Sequence, residues 1–142
     1  MSDLLHFQHF LDRHKIVSFS AKEVLFLGNS NSWLKLNEPP PRVLWPNILG
    51  ALNAAQEIRN RIGIPVQILS AFRNQAYNRA IGGAAKSMHT QFRALDITAR
   101  IPIPELWRVA KQVRDDGIFS GGIGRYPGFI HIDNGPLRNW NG

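Results

Sequence analysis

The pattern of apolar residues changes near residue 64, and this change constrains the fold more than any other feature of the sequence. Between Pro46 and Gly63, apolar residues recur at helical spacing, with a proline suited to a first helical turn and a glycine suited to a helix end. Beyond residue 64, apolar residues come in short β-branched runs bounded by turn residues. Helices early and strands late predict an α+β fold in which a small, mainly antiparallel sheet packs with helices.

Periodicity and turn residues place the individual elements. We predict a short amphipathic helix in residues 3–13, whose apolar residues share one face. Residues 23–27 are ambiguous between helix and strand, and residues 29–42, with NSNS and PPP, predict an irregular connection. The remaining expected elements are a helix from Pro46 to Ile62, a strand at 64–70, a helix at 74–81, a strand at 92–98, a helix opened by Pro104, and a hairpin of residues 121–126 and 129–133.

Size and composition fit a single compact domain covering residues 1–142, with 44% hydrophobic and 19% charged residues. There are no cysteines, so disulfides and thiolate metal sites are excluded, and His, Asp or Glu must hold any transition metal. No apolar run is long enough for a membrane span, and the N-terminal segment lacks the pattern of a signal peptide. We expect a soluble monomer, and its localisation stays open.

The net charge of +7 and the pI near 10.6 predict attraction to polyanions. Nucleic acid and anionic cell-wall polymers are the two candidate classes. The Lys and Arg residues are scattered singly, without a basic run or a nucleic-acid motif. We therefore do not expect nucleic acid to be the main partner, whereas an anionic wall polymer remains possible.

The segment SMHTQFRALDI, residues 87–97, sets His89 seven positions before Asp96 within an apolar stretch. In a strand, alternate residues share a face, so Leu95 and Ile97 point to the core while Asp96 points to the opposite side. Burying an unpaired carboxylate there is costly unless a cation accompanies it.

The segment FIHID repeats this arrangement, with Ile130 and Ile132 on one face and His131 and Asp133 on the other. Taken together, His89, Asp96 and His131 are the ligand types of a cysteine-free zinc site that leaves a fourth position for water. Taken singly, each residue has a plainer interpretation, as a hydrogen-bonded core histidine or an ion-paired aspartate.

Three further histidines, His6, His9 and His14, lie on the N-terminal helix. A pair three residues apart can chelate a metal, but no acidic partner completes the site locally. We therefore interpret them as part of a solvated helix face.

Two blocks of sequence, SAFRNQAYNRAIGGAAKSMHTQFRALDI and GGIGRYPGFIHIDNGPLRNW, resemble the M15 family of zinc D-Ala-D-Ala carboxypeptidases and peptidoglycan endopeptidases. That family typically has an S-G-Y-R-S-like turn, then S-x-H and A-x-D, and a closing F-x-H-x-D motif with a terminal Arg and Trp. The resemblance covers about residues 64–140 and implies the small α+β fold that these peptidases share with the zinc-bearing domain of Hedgehog proteins. A zinc site on this fold need not be catalytic.

The resemblance also implies roles for individual residues. His89, Asp96 and His131 match the zinc ligands, and Arg73 matches the arginine that engages a substrate carboxylate. Ser87 matches a serine that steadies the first histidine or touches substrate. Apart from the resemblance, Tyr126 and Trp140 flank His131 in the sequence, so they either belong to the core or line the substrate groove.

Two positions depart from the family pattern. Phe92 stands where relatives usually have glycine, and we expect it to narrow the cleft or reshape the loop. Gly128 stands where several branches carry a catalytic acid, so the base must come from elsewhere. Of the ten carboxylates in the chain, Asp133 is the best candidate for this role, either as general base or as the group that orients His131.

The resemblance thus implies a zinc-dependent enzyme that hydrolyses amide bonds in peptidoglycan stem peptides or cross-links, either a housekeeping peptidase or a phage-type endolysin. The alternative is a zinc-stabilised cell-wall-binding module without turnover.

Overall fold

The structure is a computed structural model that describes residues 3–142. Within this range the chain forms six α-helices, two 3-10 helices and five strands. The α-helices are α1 (Asp3–Arg13), α2 (Ala21–Val24), α3 (Asn31–Leu34), α4 (Leu49–Ile62), α5 (Gln75–Ala80) and α6 (Ile103–Asp115). The 3-10 helices span Arg42–Ile48 and Met88–Gln91. The strands are β1 (Val66–Ser70), β2 (Ala94–Ala99), β3 (Gly122–Arg125), β4 (Ile130–Asp133) and β5 (Arg138–Asn141).

The five strands form one sheet in the order β1-β2-β4-β3-β5. Three neighbouring pairs are antiparallel, and β3 and β5 are parallel. The prediction of an α+β fold with a mainly antiparallel sheet is therefore confirmed. Strand β5 was not predicted from the sequence, because its residues are largely exposed and lack the alternation of a half-buried strand.

The core lies between the sheet and the helices α4 and α6, which also pack against each other. Leu95 and Ile97 of β2 and Ile130 and Ile132 of β4 are fully buried there, as their alternation predicts. Burial of apolar area contributes roughly 25 cal/mol per Å², so this face anchors the two central strands. The polar residues between them are thereby directed to the other face of the sheet.

Most of the predicted elements are confirmed, and the differences lie at their ends. Helix α4 begins at Leu49 and not at Pro46, because the preceding residues form a tighter 3-10 helix that contains the proline. It ends as expected at Gly63, which has a φ of 73°. The supposedly irregular stretch contains α3, and in α1 Leu4 and Leu5 are exposed although their periodicity assigns them to the buried face.

Of the two effects expected of Phe92, a narrower cleft is wrong. Phe92 ends the second 3-10 helix in the left-handed region, with a φ of 57°, and β2 starts two residues later. Its side chain is fully buried against Phe7 and Phe72, with ring centroids 6.1 Å away in both cases. The backbone turn therefore sends this ring into the core and away from the site.

Candidate metal centre

Two hydrogen bonds hold His89 before any ligand is considered. It lies in the 3-10 helix Met88–Gln91, whose first turn is capped by Ser87 Oγ, which accepts from the His89 backbone N–H at 3.2 Å. The His89 Nδ1 atom lies 2.6 Å from the Ala71 carbonyl oxygen, which can only accept, so Nδ1 carries the hydrogen. His89 Nε2 is consequently left as a lone pair, 3.1 Å from Asp96 Oδ1.

Asp96 and His131 are brought together by strand pairing. They are direct partners in the antiparallel register of β2 and β4, although 35 residues separate them in sequence. His131 Nδ1 lies 3.0 Å from the same Asp96 Oδ1 atom that His89 approaches. All three side chains are buried.

The three residues fit a transition-metal ion. One ligand atom from each of His89, Asp96 and His131 lies within 4.8 Å of the other two. Tetrahedral zinc with bonds near 2.0–2.1 Å requires ligand atoms roughly 3.3 Å apart, close to the 3.0 and 3.1 Å found here. Moreover, the lone pair of His89 Nε2 faces a carboxylate oxygen, and two acceptors at this distance call for a cation between them.

Asp133 lies on the far side of the His131 ring from Asp96. Its Oδ2 atom is 2.7 Å from His131 Nε2, and its Oδ1 atom accepts from the backbone N–H groups of Gly122 and Gly135 at 2.9 and 2.8 Å. The Arg138 guanidinium donates to Oδ2 at 3.0 Å. Asp133 is fully buried, and it does not line the cavity described below.

Electrostatics in the cluster follow from burial and from these contacts. Burial lowers the pKa of His89, which favours the neutral imidazole. For Asp96, burial alone would raise the pKa, but the two histidines outweigh it and hold the pKa well below its usual range. For His131, burial opposes protonation, but hydrogen bonds to Asp133 and Asp96 outweigh it and raise the pKa. A cation bound at His131 Nδ1 would compete with a proton for that atom.

Arg73 lies beside the cluster and is engaged by three protein acceptors. Its Nη2 atom donates to Asp96 Oδ2 at 3.1 Å, its Nε atom to Ser70 Oγ at 3.1 Å, and its Nη1 atom to Asn78 Oδ1 at 3.4 Å. A guanidinium has five N–H groups, so two remain for a ligand. Arg73 is thus an anchor for Asp96 as well as a cavity residue.

A cavity of about 500 Å³ opens onto the three ligand residues. Three cations line it, namely Arg73, Lys86 and Arg138. Within residues 3–142, Asp96 contributes the one carboxylate of its wall. The cavity therefore favours a ligand that carries negative charge. The further lining residues are Ile81, Gly82, Gly83, Ala84, Ser87, Met88, His89, Tyr126, Phe129, His131 and Trp140.

The structure thus brings together His89, Asp96 and His131, and it places Arg73, Ser87 and Tyr126 on the same cavity. Sequence reasoning missed the role of Arg138, which contacts Asp133, and the position of Lys86. The sequence feature that could have indicated a role for Arg138 is its position in the closing motif. The N-terminal histidines join no metal-binding group in the described part of the chain.

Three glycines of the GGIG motif keep this region free of side chains. A Cβ atom at Gly121 would lie 1.7 Å from the Asp133 carbonyl oxygen, and one at Gly122 would lie 2.9 Å from Asp133 Oδ2. A Cβ atom at Gly124 would lie 2.5 Å from Cε2 of the Trp140 indole. The motif therefore contains glycine because Asp133 and Trp140 pack directly on the backbone.

Helices able to cross a membrane are absent from residues 3–142, since none is both long and apolar enough.

Comparison with known proteins assigns the chain to a family. Residues 28–133, well over half of the chain, match the family model described as Peptidase M15. Peptidoglycan L,D-endopeptidase MepK of Escherichia coli strain K12 is 37% identical over 84 residues, which are 54% of this chain and 43% of the relative. The probable peptidoglycan L,D-endopeptidase MepK of Haemophilus influenzae is 31% identical over 85 residues, with the same coverage.

The aligned region spans less than half the length of these curated relatives. It covers a little over half of this chain. On the family match, supported by the buried His89, Asp96 and His131 cluster, this chain belongs to the M15 peptidase family.

Proposed function

We propose that this protein is a zinc-dependent peptidase that hydrolyses amide bonds in peptidoglycan stem peptides or cross-links. The observation that carries the proposal is the buried cluster of two imidazoles and one carboxylate at the base of a cationic cavity, in a chain of the M15 family. The named relatives are L,D-endopeptidases, which favours a cross-link as substrate over a terminal D-Ala-D-Ala bond.

In this proposal His89 Nε2, Asp96 and His131 Nδ1 hold zinc. Bound zinc supplies Lewis acidity and lowers the pKa of a coordinated water toward neutrality. Hydrolysis joins the water oxygen to the carbonyl carbon and breaks the C–N bond, and a proton is transferred to the leaving amine. The protein residues bind and orient the substrate around that reaction.

For Asp133 we propose the orienting role and not the general-base role. Its carboxylate contacts His131 Nε2 on the side away from Asp96, and it is sealed from the cavity. A carboxylate that accepts from Nε2–H fixes the tautomer in which Nδ1 is free to bind a metal. Such partners commonly change metal affinity by 10- to 100-fold.

For Arg73, Lys86 and Arg138 we propose recognition of substrate carboxylates. These three cations share the cavity wall, and Arg73 keeps two N–H groups free. Stem peptides carry carboxylates on their acidic residues and at their termini, so the charges are complementary. Anionic wall polymers would be attracted by the same net charge of +7.

The test is digestion of purified sacculi by the zinc-loaded protein, with mass spectrometry of the released muropeptides. We expect cleavage products whose masses identify the bond, and we expect His89→Ala to abolish both zinc binding and product formation while the far-UV circular dichroism is retained. An exposed histidine, changed in His9→Ala, serves as the matched control. Stoichiometric zinc with no product from any muropeptide would refute the enzymatic proposal.

A further inference from the structure

Tyr126 and Trp140 form a hydrogen-bonded pair in the wall of the cavity. Trp140 Nε1 lies 2.9 Å from Tyr126 Oη. The Trp140 indole also lies against the His131 ring, with 5.1 Å between their centroids. The Trp140 indole therefore lies between the Tyr126 hydroxyl and His131, which is a proposed zinc ligand.

The direction of this hydrogen bond is fixed by chemistry. An indole N–H can only donate, so Tyr126 Oη accepts. The hydroxyl hydrogen of Tyr126 is thereby left available, and within residues 3–142 no protein atom accepts it. Because Tyr126 lines the cavity, this hydrogen can be donated to a ligand there.

Both rings are held firmly in place. The Tyr126 ring is stacked on Phe129, with centroids 4.6 Å apart and planes 7° from parallel. The ring also packs on the backbone of Gly142, where a Cβ atom would lie 1.9 Å from it. The Trp140 indole rests on Gly124, and the Arg138 guanidinium lies 4.8 Å from its ring. A donor fixed before the substrate arrives needs little reorganisation during the reaction.

The charged donors that share the cavity are bound to carboxylates or lie on an exposed loop. Arg73 and Arg138 each donate to a buried carboxylate, Asp96 and Asp133 respectively. Lys86 lies on an exposed loop. Tyr126 is thus a neutral donor in the wall with a fixed position and an unused hydrogen.

We propose that Tyr126 is a catalytic residue that donates a hydrogen bond to the oxygen of the scissile carbonyl as this oxygen gains negative charge. Trp140 is a positioning residue that acts through Tyr126, since its N–H fixes the rotation of the phenol hydroxyl. This inference rests on the proposed function and adds a protein donor to it. One such donor typically contributes 10²–10³-fold to turnover.

The kinetic test uses Tyr126→Phe, Trp140→Phe and the double variant. We expect Tyr126→Phe to lower kcat by about 100-fold with KM changed by less than about 3-fold, because the bond forms in the transition state. Trp140→Phe should lower kcat by about 10-fold, and it should have no further effect once Tyr126 is Phe. Additive effects in the double variant would overturn the positioning role. A raised KM with unchanged kcat would overturn the catalytic role.

A binding test separates this inference from the proposed function. The probe is a stem-peptide phosphinate, whose tetrahedral phosphorus replaces the scissile carbonyl carbon, compared with the uncleaved peptide itself by calorimetry. We expect Tyr126→Phe to weaken phosphinate binding by about 100-fold and peptide binding by less than about 3-fold, with unchanged zinc content. Gly128→Ala, on the same hairpin and with nothing within 4 Å of the new Cβ, is the matched control. Equal weakening of both ligands would overturn the inference even if the protein hydrolyses sacculi.

Discussion

At the scale of single residues, His131 lies between two carboxylates with different tasks. Asp96 faces Nδ1 on the cavity side and Asp133 faces Nε2 on the buried side. Arg138 and two backbone N–H groups then donate hydrogen bonds to Asp133. Arg138 therefore fixes the Asp133 carboxylate, and Asp133 in turn fixes the orientation of the His131 imidazole.

This arrangement predicts the outcome of Asp133→Asn. We expect zinc affinity to fall by about 10- to 100-fold, because a neutral amide holds the His131 tautomer less strongly and leaves Arg138 without its ion pair. Competition with a chromophoric chelator measures this directly. Asp115→Asn, which removes an exposed carboxylate near the end of α6, is the control. Unchanged zinc affinity with lost turnover would instead assign Asp133 the general-base role.

At the scale of elements, the glycine-rich strand β3 and the turn before β2 set the shape of the site. Gly124 lets the Trp140 indole rest on the backbone of the neighbouring strand. Phe92 takes a left-handed conformation so that β2 can start with Ala94 and direct Asp96 to the site. In both places the backbone at one residue determines where another side chain lies: Gly124 determines the position of Trp140, and Phe92 that of Asp96.

Strand β3 gives a prediction for Gly124→Ala. The new Cβ would lie 2.5 Å from Trp140, so the indole must shift and unfolding free energy should fall by about 1–3 kcal/mol. Turnover should fall as well, because Tyr126 loses its fixed partner. Urea unfolding followed by tryptophan fluorescence measures the change in stability, and digestion of sacculi measures the change in turnover. In Gly128→Ala, where the added methyl group meets open space, we expect a change within about 0.5 kcal/mol.

The turn before β2 gives a second prediction, for Phe92→Gly. Glycine relieves a left-handed conformation that costs an L-residue about 1–2 kcal/mol, but removing a fully buried phenyl ring costs about 3–5 kcal/mol. Burial outweighs strain, so we expect a net loss of about 1–4 kcal/mol in urea unfolding. A more stable variant would show that the ring is poorly packed against Phe7 and Phe72.

At the scale of the whole molecule, the metal centre connects the sheet to the 3-10 helix that precedes β2. His89 lies in a 3-10 helix, whereas Asp96 and His131 lie on the two central strands. An ion bound by all three connects elements that are remote in sequence. Since such an ion binds the folded chain only, it stabilises that fold by mass action.

Metal removal should therefore lower thermal stability. At zinc concentrations 100 times the dissociation constant the stabilisation is about 2.7 kcal/mol, which corresponds to a rise in Tm of roughly 5–12 °C for a domain of this size. Differential scanning fluorimetry with zinc and with a chelator measures the shift. His89→Ala should show none of it. An equal Tm in zinc and chelator for the unaltered protein would contradict the metal centre.

Residue types and their spacing were enough to predict an α+β fold, the long helix ending at Gly63, the hairpin and the three candidate ligands. These features depend on local periodicity, on turn residues and on motifs within a few positions. The ends of α4 and β2 were predicted less well, because Pro46 and Phe92 take backbone conformations that neighbouring sequence alone does not specify.

By itself, then, the sequence determined which groups the protein has for chemistry and which faces of its strands are buried. The tertiary structure alone decided that Asp133 lies behind His131, that Phe92 belongs to the core, and that β5 brings Trp140 to Tyr126. The physical reason is that side-chain direction depends on strand pairing and packing between remote segments. Such contacts are set by the whole core and leave no periodic signal along the chain.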